Sequence, residues 1–172
     1  YDLSNDFFRL FLDNDMVYSS AIYQSSDDDL ETAQQNKYDT AIRKVRLRAS
    51  DHLLEIGCGW GGFAIAAVRQ TGCRVTGITV SREQYDMARE RVAVAGLAER
   101  ISIELTDYRH VRGRYDKIVS IEMLEAVGHA YYPLFFRRLD QLLKPEGIVI
   151  LQSITIPDQY YARYRRERDW IR

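Results

Sequence analysis

The run Leu53-Leu54-Glu55-Ile56-Gly57-Cys58-Gly59-Trp60-Gly61-Gly62-Phe63 ends a short apolar stretch on an acid, then sets glycines at every second position. That pattern is a buried strand turning tightly into a helix N-terminus. Gly57, Gly59 and Gly61 are free to take φ > 0 and to let a ligand approach the backbone. The spacing is neither G-x-G-x-x-G nor the phosphate loop G-x-x-x-x-G-K-[ST], and no lysine follows. Glycines so placed beside Glu55 suit a cofactor with a cationic amino-acid end and no phosphate. A second chemical group is Ser120-Ile121-Glu122-Met123-Leu124-Glu125-Ala126-Val127-Gly128-His129. Two carboxylates three residues apart among apolar neighbours are costly unless they orient a reacting group or a bound anion. Asp107-Tyr108 offers a carboxylate and a stacking ring for a base, or simply a turn acid. Thr79 and Gln84 can hydrogen-bond ribose hydroxyls, although Ser81 with Gln84 three residues on reads equally as a helix capping box.

These residues need strands that end beside one another. From Asp51 onward the pattern alternates, with strands over 52–57, 74–79, 101–105, 116–121 and 147–154 and helices at about 61–71, 82–95 and 131–143. Gly96 closes the second of these helices, and Lys144-Pro145-Glu146-Gly147 closes the third. Repeated βα units imply a parallel sheet with right-handed crossovers and helices on both faces. Ligands then sit at the carboxyl ends of the strands, near the switch in strand order. Upstream, Phe7, Leu10 and Phe11 recur as one stripe of a short amphipathic helix, either packing or walling an apolar slot. Residues 24–29 are a polar break and a helix cap, and a helix follows over about 30–48 with a basic end.

The 172 residues carry 46% hydrophobic and 28% charged side chains with a net charge of -1, so no basic excess points to nucleic acid. Two cysteines supply neither a disulfide framework nor metal-ligand spacing. No apolar run approaches the roughly 18 residues of a membrane span. The Tyr/Arg-rich stretch Tyr160 to Arg172 suits either an anionic membrane surface or a solvated helix face.

The glycine run resembles that of S-adenosylmethionine (SAM) methyltransferases. A more specific resemblance runs over the whole chain. Tyr1-Asp2-Leu3-Ser4-Asn5-Asp6-Phe7-Phe8, Met16-Val17-Tyr18-Ser19-Ser20-Ala21, Glu55 to Gly62, Gly77-Ile78-Thr79-Val80-Ser81, Glu122 to His129 and Leu151-Gln152-Ser153-Ile154-Thr155-Ile156-Pro157 look like cyclopropane-fatty-acyl-phospholipid synthases. The resemblance implies an α/β fold: a Rossmann-like SAM-dependent methyltransferase sheet with an N-terminal helical cap over 1–48 and a catalytic core over 49–172, its last strands missing. It implies that an acyl double bond attacks the SAM methyl group and that bound bicarbonate removes a proton from the resulting carbocation, closing a ring. Catalysis of that kind needs a dry slot, an aligned sulfonium and negative charge near the cation.

Carried over, Tyr18, Ser19, Glu55, Gly57, Gly59, Gly61, Ile78, Thr79, Gln84, Asp107 and Tyr108 fall to the cofactor. Glu125, Ser20, Ile121, Gln152 and Ile154 fall to bicarbonate, with Glu125, Ser20 and Gln152 at the catalytic centre and no metal. Ser20 and Gln152 stand where family members often have Cys and His, and Gln takes no proton. The substrate implied is an unsaturated phospholipid acyl chain, met from the cytoplasm at the inner face of the membrane. A homodimer is compatible with this, and no nucleic acid is involved. Methyl or methylene branching of the same lipids is the alternative outcome, and a SAM-binding fragment without turnover is a further one.

Overall fold

A computed structural model describes residues 4–164 and 166. Five parallel strands, β1 (His52–Ile56), β2 (Arg74–Thr79), β3 (Ile101–Leu105), β4 (Tyr115–Ile121) and β5 (Leu143–Gln152), lie in the order β3-β2-β1-β4-β5. The order reverses between β1 and β4, the position where an open parallel sheet leaves a crevice at its carboxyl edge. Adjacent side chains of β1 part to opposite faces, as strand geometry requires. Leu53 packs with Tyr38, Ile42 and Val45 of α2 (Leu30–Val45), with α3 (Gly62–Thr71) and with α4 (Arg82–Val94). Leu54 and Ile56 pack with Phe135, Leu139 and Leu142 of α6 (Tyr132–Leu142). Both faces of β1 are therefore dry, and it reads as a nearly continuous apolar run for that reason, whereas the edge strand β3 alternates buried and exposed residues.

Register explains Gly77. It lies opposite Glu55 on the neighbouring strand, and a Cβ there would stand 2.9 Å from Cys58 Cβ and 3.1 Å from Ile103 Cδ1. The glycine loop folds back over β2, with the Gly57 and Cys58 N–H groups both donating to the Ile78 carbonyl.

Several elements differ from the sequence expectation. The stripe Phe7, Leu10, Phe11 is not a buried face. α1 (Asn5–Phe8) lasts one turn, Leu10 is 81% exposed, and Phe8 is the ring driven inward, against Tyr18 and Trp60. α2 starts on an Asp29 cap, with Thr32 N–H donating to its carboxylate, and stops at Val45 because Arg46 turns left-handed at φ 54°. Lys144 to Gly147 does not close a helix outside the sheet. β5 begins directly at Leu143, and its pairing with β4 skips from Tyr115–Leu143 to Lys117–Ile148, so these residues form an irregularity within the strand. Lys144 there donates to both oxygens of Asp116 at 2.9 Å. Two short elements finish the description, α5 (Leu124–Val127) and α7 (Asp158–Tyr164). No described helix is long and apolar enough to cross a membrane.

Gly77→Ala should lower stability by about 1–3 kcal/mol through overpacking against backbone-proximal atoms. The check is a lower denaturant midpoint at unchanged slope, and an unchanged midpoint contradicts the crowding argument.

Candidate functional site

The carboxyl ends of β1, β2 and β4 open into a cavity of about 350 Å³, within the range of small-molecule sites. The glycine loop supplies one wall through Gly57, Cys58, Gly59 and Trp60. The end of β2 supplies Ile78 and Thr79, α4 supplies Gln84, and the turn after β3 supplies Asp107 and Tyr108. Ile121, Glu122 and Met123 after β4, with Glu125, Ala126 and Val127 of α5, form a mostly apolar side that Ile154 completes. A strap of irregular chain from Asp15 to Ser19, Tyr18 included, crosses the remaining side.

Thirteen of the residues singled out from the sequence thus border one space. Ser20, Gly61 and Gln152 stand outside that lining. Gly61 is the left-handed N-cap of α3, at φ 84°, and a Cβ there would press on Ala88 at 3.3 Å. Its glycine answers a packing demand of α4.

Glu55 shares with Glu125 an unusual feature of the wall. Its Oε2 is buried and has no hydrogen-bond partner among the described residues. Burial pushes its carboxyl well above the ordinary range, against the pull of Lys37. Beyond it, Thr79 Oγ1 donates to Gln84 Oε1 at 2.8 Å, while Ser81 caps α4 by accepting from Gln84 N–H. Only half of the capping box forms, since the Ser81 N–H donates to Thr79 Oγ1. The cap is made, and the Gln84 side chain turns to Thr79 instead of returning to Ser81. Asp107 accepts from Arg109 Nε at 2.9 Å and Nη2 at 2.7 Å, bonds that hold its carboxyl below the usual range. Tyr108 meets Phe135 edge-on and still borders the cavity.

One site feature escaped the sequence reading. Gln34 and Lys37 sit on the same stripe of α2 as Tyr38, Ala41 and Val45, and both are buried. Gln34 Nε2 donates to the Val17 carbonyl at 3.4 Å and the Ser19 carbonyl at 2.9 Å. Lys37 Nζ donates to Ser19 Oγ at 2.5 Å and Ser19 O at 3.3 Å. The signal was present as two polar residues interrupting an apolar face. Burial lowers the Lys37 ammonium to about 8, opposed by the charges of Glu122, Asp13 and Glu55. Glu122, one of the two spaced carboxylates marked in the sequence, sits at φ 49°. Its Oε1 accepts from Ser20 N–H and from Gln152 Nε2, each at 3.0 Å.

The two implied ligands fare differently. For SAM, the unpartnered buried oxygen of Glu55, the open space beside Gly59 and the apolar walls fit a cationic amino-acid end joined to a nucleoside. Bicarbonate does not fit the shell inferred for it. Ser20 N–H and the Gln152 amide already serve Glu122, and Ile154 N–H is donated to Glu125 Oε1 at 2.5 Å. An added anion would face two carboxylates with those donors spent.

The profile of the family described as mycolic acid cyclopropane synthetase matches residues 1–172. The chain is 45% identical over 157 residues to the probable fatty acid methyltransferase of Pseudomonas putida, covering 90% of this chain and 40% of that protein. It is 43% identical over 154 residues to the cyclopropane-fatty-acyl-phospholipid synthase of Escherichia coli K12, covering 90% and 39%. The chain therefore spans about two fifths of the length of these relatives. The crystal structure of mycolic acid cyclopropane synthase CmaA1 complexed with SAH and CTAB superposes with a TM-score of 0.85 at 37% identity, over 88% of this chain and 53% of that one.

The depressed Lys37 makes a signed prediction. The unfolded chain holds this proton more tightly than the folded one, so the Lys37 contribution to stability rises as pH goes from about 8 toward the unperturbed lysine value. The denaturation midpoint of the wild-type protein should therefore gain on that of Lys37→Met as pH is raised across this window. A difference that is flat or falls with pH contradicts the burial argument.

Proposed function

This chain belongs to the mycolic acid cyclopropane synthetase family, and from that premise we propose that it forms the cofactor-binding part of a SAM-dependent lipid-modifying enzyme. The enzyme adds a one-carbon unit to the cis double bond of an unsaturated phospholipid acyl chain, working from the cytoplasm at the inner membrane face. The observation that carries the reading is Glu55, a buried carboxyl with one unpartnered oxygen beside the glycine loop, in a cavity whose opposite wall is apolar.

Bound in this cavity, SAM supplies an electrophilic methyl group. Glu55 and the loop at Gly57 and Gly59 hold its amino-acid end, Thr79 and Gln84 the ribose, and Asp107 and Tyr108 the base. Ile121, Met123, Ala126, Val127 and Ile154 give the alkene a surface that offers no nucleophile. Tyr18 and Ser19 of the strap help keep water from a carbocation that water would quench. Glu125, fixed by the Ile154 N–H, sets negative charge beside the place where positive charge develops, the arrangement that lowers such barriers most.

Membrane contact is supported by Phe7, Leu10 and Phe11, which are exposed on one short segment. Tyr160, Tyr161 and Arg163 of α7 belong to the Tyr/Arg stretch. Arg165, Arg168, Trp170 and Arg172 lie outside the described residues. A second reading keeps every residue role and ends in a branched product; the Pseudomonas putida relative is named a probable fatty acid methyltransferase, not a cyclopropane synthase.

Mass spectrometry of lipids from cells expressing the full-length protein tests the proposal. A gain of one CH₂ at the alkene, resistant to hydrogenation and lost in Glu125→Gln, is the expected result. A gain that hydrogenation alters selects the branching outcome, and no gain overturns the lipid reading. Independently, Glu55→Gln should weaken S-adenosylhomocysteine binding by roughly ten- to a hundredfold in calorimetry, the worth of a hydrogen bond to a charged group. Unchanged affinity removes Glu55 from the cofactor site.

A further inference from the structure

The donors that were to hold an external anion converge instead on a side chain. Ser20 N–H and Gln152 Nε2 both end on Glu122 Oε1, from positions 102 and 30 residues away in sequence. Gln152 also donates to the Ser20 carbonyl at 3.2 Å, and the Glu122 N–H donates to the Gln152 carbonyl at 2.8 Å. The carboxylate is thus gripped on one oxygen, while no donor reaches its Oε2 among the described residues. Glu122 borders the cavity beside Ile121 and Met123.

Its backbone sits at φ 49°, a region that side chains other than glycine enter only at a cost. Strain of this kind persists where the surroundings over-determine it, and it gathers at functional sites. Glycine would relieve the strain here and abolish the carboxylate. The buried ammonium of Lys37 is drawn to Glu122 more strongly than to Asp13 or Glu55, so a countercharge for the carboxylate is built into α2.

We infer that the Glu122 carboxylate is the base of the reaction, standing where bicarbonate was expected. This rests on the proposed lipid chemistry. Once the one-carbon unit has joined the acyl chain, the substrate carries one positive charge and must lose one proton. Glu122 Oε2 accepts that proton from the added carbon. The C–H electron pair becomes the third side of a ring or, once a 1,2-hydride shift has moved the cation to the methyl-bearing carbon, the second bond of a methylene, and the neutral carboxylic acid later returns its proton to solvent. No oxidant, reductant or external anion enters the balance. Gln152 and Ser20 act as positioning residues through their hold on Oε1.

The test uses the full-length enzyme with unsaturated phospholipid vesicles and SAM, in buffer stripped of carbon dioxide and in the same buffer with bicarbonate. Wild-type turnover should be equal in the two. Glu122→Gln keeps the acceptor for Ser20 and Gln152 but not the basicity. It should lose at least about 100-fold in rate, the usual scale of a general base, with S-adenosylhomocysteine affinity unchanged. Glu122→Gly suits the backbone, frees both donors, and should regain turnover when bicarbonate is added. ¹³C-bicarbonate NMR supplies a reading independent of turnover. Line broadening is expected with Glu122→Gly and not with the wild type. A wild-type rate that collapses without bicarbonate, broadening by the wild type, or an active Glu122→Gln each overturns the inference. Absence of lipid modification in every buffer instead defeats the parent reading, and the NMR comparison still decides whether Glu122 occupies the anion position.

Discussion

The strap over the cavity has no strand beside it, so its backbone polar groups must be satisfied by side chains. This constraint shapes the whole site. Asp13 accepts from Val17 N–H at 2.7 Å. Gln34 and Lys37 bind the carbonyls of Val17 and Ser19, Glu122 accepts from Ser20 N–H, and Gln152 donates to the Ser20 carbonyl. Left unpaired in a buried setting, each group would cost several times what a satisfied hydrogen bond gains. Asp13, Gln34 and Lys37 are consequently buried, although residues of their type are usually exposed. The strap is held by groups that also set the charge of the cavity.

Burial opposes that charge, as the raised Glu55 carboxyl shows. Glu55, Glu122 and Glu125 all border the cavity, and among the described residues the buried ammonium that answers Glu122 and Glu55 belongs to Lys37 on the other side of the strap. A surplus of negative charge in a largely apolar wall is unstable alone and complementary to a cationic ligand. The parallel sheet makes the arrangement available by delivering the ends of β1, β2 and β4 to one place, with both faces sealed by helices.

Local patterning carried the sheet into view. β2 and β3 have the expected bounds, and β1 and β4 differ by a residue at one end, because β1, β2 and β4 are largely buried stretches and β3 alternates buried with exposed residues. α1 and the start of β5 were not legible, since they depend on what the chain meets later. Phe8 turns inward to reach Tyr18 and Trp60, and β5 bulges to meet Lys117 of β4. The site divides in the same way. Glu55 and the glycine loop form a local motif and could be read. The junction of Glu122 with Ser20 and Gln152 joins three distant segments, and no spacing announces it. The sequence marks Ser20 and Gln152, but the partner that claims them is visible only in three dimensions.

The central claim is that buried side chains hold the strap over a cofactor cavity. Amide hydrogen exchange of the full-length protein, with and without S-adenosylhomocysteine, tests this most directly. The account predicts slow exchange at Val17 and Ser20 in the free protein, slowing further when the cofactor product is bound. Exchange of these amides at unfolded-chain rates, or a strap indifferent to the ligand, would contradict it.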